Sequence, residues 1–78
     1  MSPFQNWLHE MGFSHRKFAV AAGVSSGTVQ AVASGDMTMA GILRDYVSSL
    51  RADIVADQDR WLELHKKDMG RRVAEAAA

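Results

Sequence analysis

The stretch that decides the fold runs Ser14-His15-Arg16-Lys17-Phe18-Ala19-Val20-Ala21-Ala22-Gly23-Val24-Ser25-Ser26-Gly27-Thr28-Val29-Gln30-Ala31-Val32-Ala33-Ser34-Gly35. Ser14 is a helix cap, and Phe18, Ala19 and Ala22 follow on one inward face. Gly23 can take the left-handed conformation that a sharp turn requires. Ser25 caps the next segment, in which Val29 and Val32 pack with Val24, and Gly35 ends it. Two short helices joined by Ala-Gly-Val-Ser result, with a small residue where they cross and a valine at the corner.

On the amino-terminal side, Ser2 followed by Pro3 opens a first helix, because proline at the first helical position lacks the N–H that would be orphaned there. Phe4, Trp7, Leu8 and Met11 share one face of it, and Gly12 stops it. On the other side, Thr38 is expected to cap a fourth helix, with Met39, Ile42, Leu43, Tyr46, Val47 and Leu50 on one face. A fifth is expected over about Asp53 to Met69, with Ile54, Trp61, Leu64 or His65, Met69 and Val73 roughly on one stripe. Its other face pairs Glu63 with Lys67 and Asp68 with Arg72. Whether helices four and five are continuous is left open by the pattern, and the alanine-rich tail from Arg71 is expected to fray. The fold class is all-α, with four to five helices and no strand alternation or repeat.

Seventy-eight residues leave room for one small core, and the absence of cysteine excludes a disulfide scaffold and cysteine-based zinc sites. So short a chain makes oligomerisation an expectation. The apolar stretch around Phe18 to Val24 is far shorter than the roughly 20 residues that span a bilayer, so no membrane association is expected. The amino terminus lacks the basic-then-apolar pattern of a signal peptide, so the expected location is the cytoplasm. Nine basic and nine acidic residues cancel, but no acid occurs between Glu10 and Asp36, where Arg16, Lys17 and His15 fall. Such a stretch is either core or a surface that must not repel an anion.

The 22-residue run quoted above resembles the helix-turn-helix of the Cro/CI-type (XRE-like) phage and bacterial repressors. Ala19, Gly23, Val24, Ser25, Thr28, Val29 and Gly35 fall where that family places its small, turn, cap and core residues. With the flanking helices the resemblance covers about residues 3 to 51. It implies a lambda-repressor-like domain over residues 1–52, followed over 53–78 by a carboxy-terminal helix that joins two copies. The implied activity is that of a transcriptional regulator which, as a homodimer, reads operator DNA in the major groove and is nucleoid-associated when bound. Carried over residue by residue, Ser26, Gly27, Thr28, Gln30 and Ala31 become candidates for base contact, with Gln30 able to pair with an adenine and Ala31 to meet a thymine methyl. Gly27 and Ala31 stand where relatives often carry a larger polar or basic side chain, which removes an arginine-to-guanine contact. His15, Arg16, Lys17, Ser25 and Thr38 are the phosphate candidates.

Each assignment has a plainer counterpart. Gln30 can be a solvated helix residue and His15 a surface histidine. Trp61 is either a dimer anchor, with Ile54, Leu64 and Met69 beside it, or is folded back over helix one. His9, His15 and His65 lack metal-ligand spacing, and no glycine-flanked nucleophile or phosphate loop is present, so neither metal, cofactor nor enzymatic activity is expected. The alternative function is a helix-turn-helix module that binds a protein, such as an antirepressor, an antitoxin or a modulator of a repressor; the zero net charge favours it.

Overall fold

The structure, a computed structural model, describes the backbone of residues 1–77 and the side chains of residues 1–66. Four α-helices follow one another: α1 Pro3–Glu10, α2 His15–Ala22, α3 Ser26–Ser34 and α4 Gly41–Ala77. No strand occurs among the described residues, and none of the helices is long and apolar enough to cross a membrane.

The first three helices begin and end where local chemistry places them. Ser2, Ser14 and Ser25 are extended N-caps whose hydroxyls accept from the amides of Gln5, Lys17 and Thr28. At the other ends, Val24 and Asp36 donate their N–H back to the carbonyls of Ala19 and Ala31, while Gly23 and Gly35 sit at positive φ. These closures satisfy carbonyls that a helix end otherwise leaves unpaired.

One core gathers Phe4, Trp7, Leu8, Phe18, Val29, Val32, Met39, Leu43 and Val47 from all four helices and the α3–α4 connection. Phe18 is its hub: the rings of Phe4, Trp7, Phe13 and Tyr46 meet it edge-on with centroids 5.6–5.7 Å away. Edge-to-face contacts of this kind add about 0.5–1.5 kcal/mol each beyond burial.

The carboxy-terminal half departs from the expected pattern. Thr38 is exposed and caps nothing; the helix starts at Gly41, after a connection that drives Met39 into the core. The Arg44 guanidinium holds the carbonyl of Met39 at 3.1 Å, fixing that connection from the helix side. Of the expected apolar face, Met39, Leu43 and Val47 are buried and Tyr46 is half-buried, but Ile42 and Leu50 are 64% and 51% exposed. Met11, expected on the inward face of α1, follows the last helical turn as its C-cap and is exposed.

Helices four and five meet at a break. α4 leaves helical geometry at one residue, Arg51 (φ −151°, ψ 83°), which divides it into a first limb, 41–50, and a second limb, 52–77. Ser49 donates its hydroxyl to the Tyr46 carbonyl in the turn before the break, a bond that competes with the helical ladder. After it, Arg51 reaches both carboxylate oxygens of Asp53, at 2.9 and 2.8 Å. This contact holds the Asp53 carboxyl below its usual value, chiefly through the hydrogen bond from Arg51. A bidentate pair, Arg44 to Asp59 at 3.1 and 2.7 Å, then ties the two limbs together. The tail expected to fray lies within α4, whose bounds reach Ala77; its alanines, arginines and glutamate are good helix formers.

The second limb is part of the core. Ile54 and Val55 belong to the same cluster as Phe4, and Leu62 is buried. Gln58 is only 2% exposed among them: its Oε1 accepts from the Phe4 amide and its Nε2 donates to the Val32 carbonyl, both at 2.9 Å. Ser2 adds a parallel tie, donating from Oγ to the Ala33 carbonyl at 2.8 Å. Three groups of helix ends, an amide at the start of α1 and the Val32 and Ala33 carbonyls at the end of α3, thus find partners in buried side chains.

Candidate nucleic-acid interface

The outward face of α3 follows from its inward one. With Val29, Val32 and Ala33 turned to the core, helical spacing leaves Ser26, Gly27, Gln30 and Ser34 outside, and all four are exposed. Ser34 donates its hydroxyl to the Asp36 carboxylate at 2.9 Å, which puts one acidic group at the carboxy-terminal edge of this face. Thr28 is half-buried and its hydroxyl is 2.8 Å from Ser25 Oγ, so both hydroxyls are engaged in the cap. Ala31 is half-buried as well, leaving little of its methyl to meet a partner. Thr38 sits apart, exposed in the α3–α4 connection.

Gly27 has a property the other glycines of turns and caps lack. Its φ is not positive, and a Cβ placed on it would meet only Ser25 Oγ at 4.0 Å. Neither backbone geometry nor packing requires glycine there, yet it costs an exposed helix roughly 0.5–1 kcal/mol relative to alanine.

At the start of α2, His15 is half-buried, with Nε2 hydrogen-bonded to the Gln5 amide oxygen. Arg16 and Lys17 follow, both exposed. Among the described residues the ion pairs are Arg44–Asp59 and Arg51–Asp53, which leaves Arg16 and Lys17 free to meet an external anion.

His15 and Gln30 come together across an open groove of about 360 Å³, whose other walls include Gln5, Ser34 and Trp61. Gln5 and Ser34 were not singled out in the sequence. Ser34 was within reach of it, four residues after Gln30 on the same helix face; Gln5 was not, because its bond to His15 joins separate helices. Trp61 packs on its own chain, against the carboxy-terminal end of α3 rather than over helix one. It is half-buried, stacked on the His65 ring at 4.8 Å, and edged against Gly35, where an added Cβ would lie 2.9 Å from Trp61. Ile54 is likewise consumed within its own core. Of the four residues expected to join two copies, Leu64 alone is 62% exposed; the Met69 side chain, like those of Lys67, Asp68, Arg72 and Val73, lies outside the described residues. Among the described residues no group of three His, Asp or Glu is placed to hold a metal.

No protein-family model, curated protein or solved structure matches this chain.

Proposed function

We propose that this helical domain is a DNA-binding transcriptional regulator of the Cro/CI type, with α3 laid into the major groove. The observation that carries this reading is the bare outer face of α3, polar at Ser26, Gln30 and Ser34 and open at Gly27, on the second helix of a two-helix unit closed by Gly23. A missing side chain that no neighbour needs suits a surface that meets another molecule at backbone distance. Gln30 is the base reader in this reading, its amide offering a donor and an acceptor to an adenine edge. His15, Arg16, Lys17 and the first amides of α2 hold phosphates, and the bond that His15 Nε2 donates to the Gln5 amide oxygen orients the ring for that contact. With few cations on this face, one copy supplies little affinity, and two copies on a two-fold axis place a second α3 one helical turn, about 34 Å, along the duplex.

The protein-binding alternative draws on a different observation: Val20, on α2 beside Arg16 and Lys17, is 79% exposed. Selection of bound duplexes from a random DNA pool at moderate salt separates the two. An enriched motif supports the regulator; a pool that stays random at protein concentrations well above micromolar overturns it and leaves the protein-binding module.

A further inference from the structure

The bend in α4 is held by two local contacts, Ser49 on the Tyr46 carbonyl and Arg51 on Asp53, and by a larger set made at a distance from it. The residues around it, Ser48-Ser49-Leu50-Arg51-Ala52-Asp53, contain neither glycine nor proline, and leucine, arginine and alanine are among the best helix formers. Nothing in the local sequence forbids a continuous helix; the docking of the second limb adds to the hinge's own Ser49 and Arg51 contacts in turning the chain back. That docking consists of Ile54, Val55 and Leu62 in the core, the two hydrogen bonds of Gln58, and the Arg44–Asp59 bracket. None of these contacts depends on both partners belonging to one molecule. A hinge of one residue brings the limb home only by leaving helical geometry at Arg51, and short hinges of this kind favour exchange between copies.

We propose that two copies of this chain exchange their second limbs. α4 becomes continuous through Arg51, and residues 52–66 of each copy fill the place in the other that they occupy in their own chain. Every docking contact is kept, so the balance between the two forms is set by the hinge, by protein concentration and by whatever new surface the hinge creates. That new surface has a ready constituent. Ile42 and Leu50 are 64% and 51% exposed in the bent form, and Leu50 lies beside the hinge where two straightened helices run together. The exchange is independent of DNA binding.

A charge-reversed pair tests it. Arg44→Asp puts two carboxylates at the bracket, and Asp59→Arg puts two guanidiniums there. In an exchanged dimer of one copy of each, the carboxylate introduced by the first substitution meets the guanidinium introduced by the second across the chains. The native Arg44 of one copy likewise meets the native Asp59 of the other, so both brackets are restored. Alone, each variant carries the same mismatched bracket in the monomer and in the exchanged homodimer, so neither is expected to dimerise more than wild type; helicity is checked by circular dichroism. After joint refolding they are expected to give a heterodimer of twice the 8.6 kDa chain mass, in excess of its statistical share. A mixture that stays monomeric, or that pairs only statistically, overturns the exchange. Ala52→Pro gives an independent arm: proline there disfavours helical geometry at residue 51 and cannot sit inside a continuous helix, while Ala52 itself is exposed. The wild-type chain refolded at high concentration is expected to yield a dimer and Ala52→Pro to lose it; a dimer unaffected by the proline joins the copies some other way and refutes the proposal.

Discussion

Gln58 is the residue on which the junction of three helices rests, and replacing it by methionine measures that junction. Methionine matches its length and keeps the volume filled, so the change removes two hydrogen bonds with little cavity. The two partners are affected unequally. The Val32 carbonyl still accepts from the Gly35 amide at 3.2 Å, so its loss is on the order of 0.5–1 kcal/mol. The Phe4 amide, on a fully buried residue in the first turn of α1, has no other partner and bears an unsatisfied-donor cost of about 1–3 kcal/mol. Offset by the easier burial of a thioether, the net loss is about 2 kcal/mol, or roughly 8–16 °C in Tm for a domain of this size. Urea and thermal unfolding followed by circular dichroism read it directly. Gln58→Glu adds a sign. An ionised carboxylate there can accept from Phe4 but faces the Val32 carbonyl in the dry core, whereas the protonated acid can serve both. Its folded pKa is therefore raised above the unfolded value, and the variant should be most stable in acid and lose stability as pH rises through the unfolded and then the folded pKa. A Gln58→Met chain within about 0.5 kcal/mol of wild type would refute the reasoning, since that is the range of substitutions away from any such feature.

Other outcomes follow from the same geometry. Gly27→Ala should raise stability by about 0.5–1 kcal/mol and weaken duplex binding; a gain in both would place the partner elsewhere than α3. On the selected duplex, Gln30→Ala should cost about 1–3 kcal/mol and relax preference at one base pair, whereas Arg16→Ala should weaken all sequences alike and flatten the salt slope by about one unit, both read by titration at several salt concentrations. Gly35→Ala faces positive φ and a Cβ 2.9 Å from Trp61, so it should destabilise by several kcal/mol, and Trp61→Ala in the same chain should recover part of the loss in a double-mutant cycle. The Asp53 carboxyl, lowered by Arg51, stays charged below the usual aspartate value; its contribution is present above that value and fades as pH falls through the folded one, so Arg51→Gln should move its NMR titration midpoint upward.

The first three helices were legible because their signals are local: three serines each within three residues of the amide they cap, and glycines where the chain must turn left-handed. The carboxy-terminal half was not, for two reasons. Periodicity counts apolar residues, and the inward face of the second limb is centred on a glutamine; the buried set 54, 55, 58 and 62 hid behind a more conspicuous stripe running through Trp61 and Leu64. Thr38 looked like a cap because the residue after it is buried, but Met39 is buried from a loop. At the candidate interface the sequence located the exposed face of α3 through its periodicity. It could not locate the Gln5–His15 bond or the return of Trp61 to Gly35, which join residues 10 and 26 positions apart.

The chain carries two indoles in unlike settings, and this equips it with two optical reporters. Trp7 is 6% exposed and shares its edge with Phe18, so its emission and near-ultraviolet dichroism report the aromatic hub. Trp61 lies half-open on the second limb, pressed to a histidine ring and to the end of α3, and its emission follows the docking of that limb on α3. Chains with one indole replaced by phenylalanine therefore resolve undocking of the limb from melting of the hub, as a blue-shifted band that holds while a red-shifting one departs.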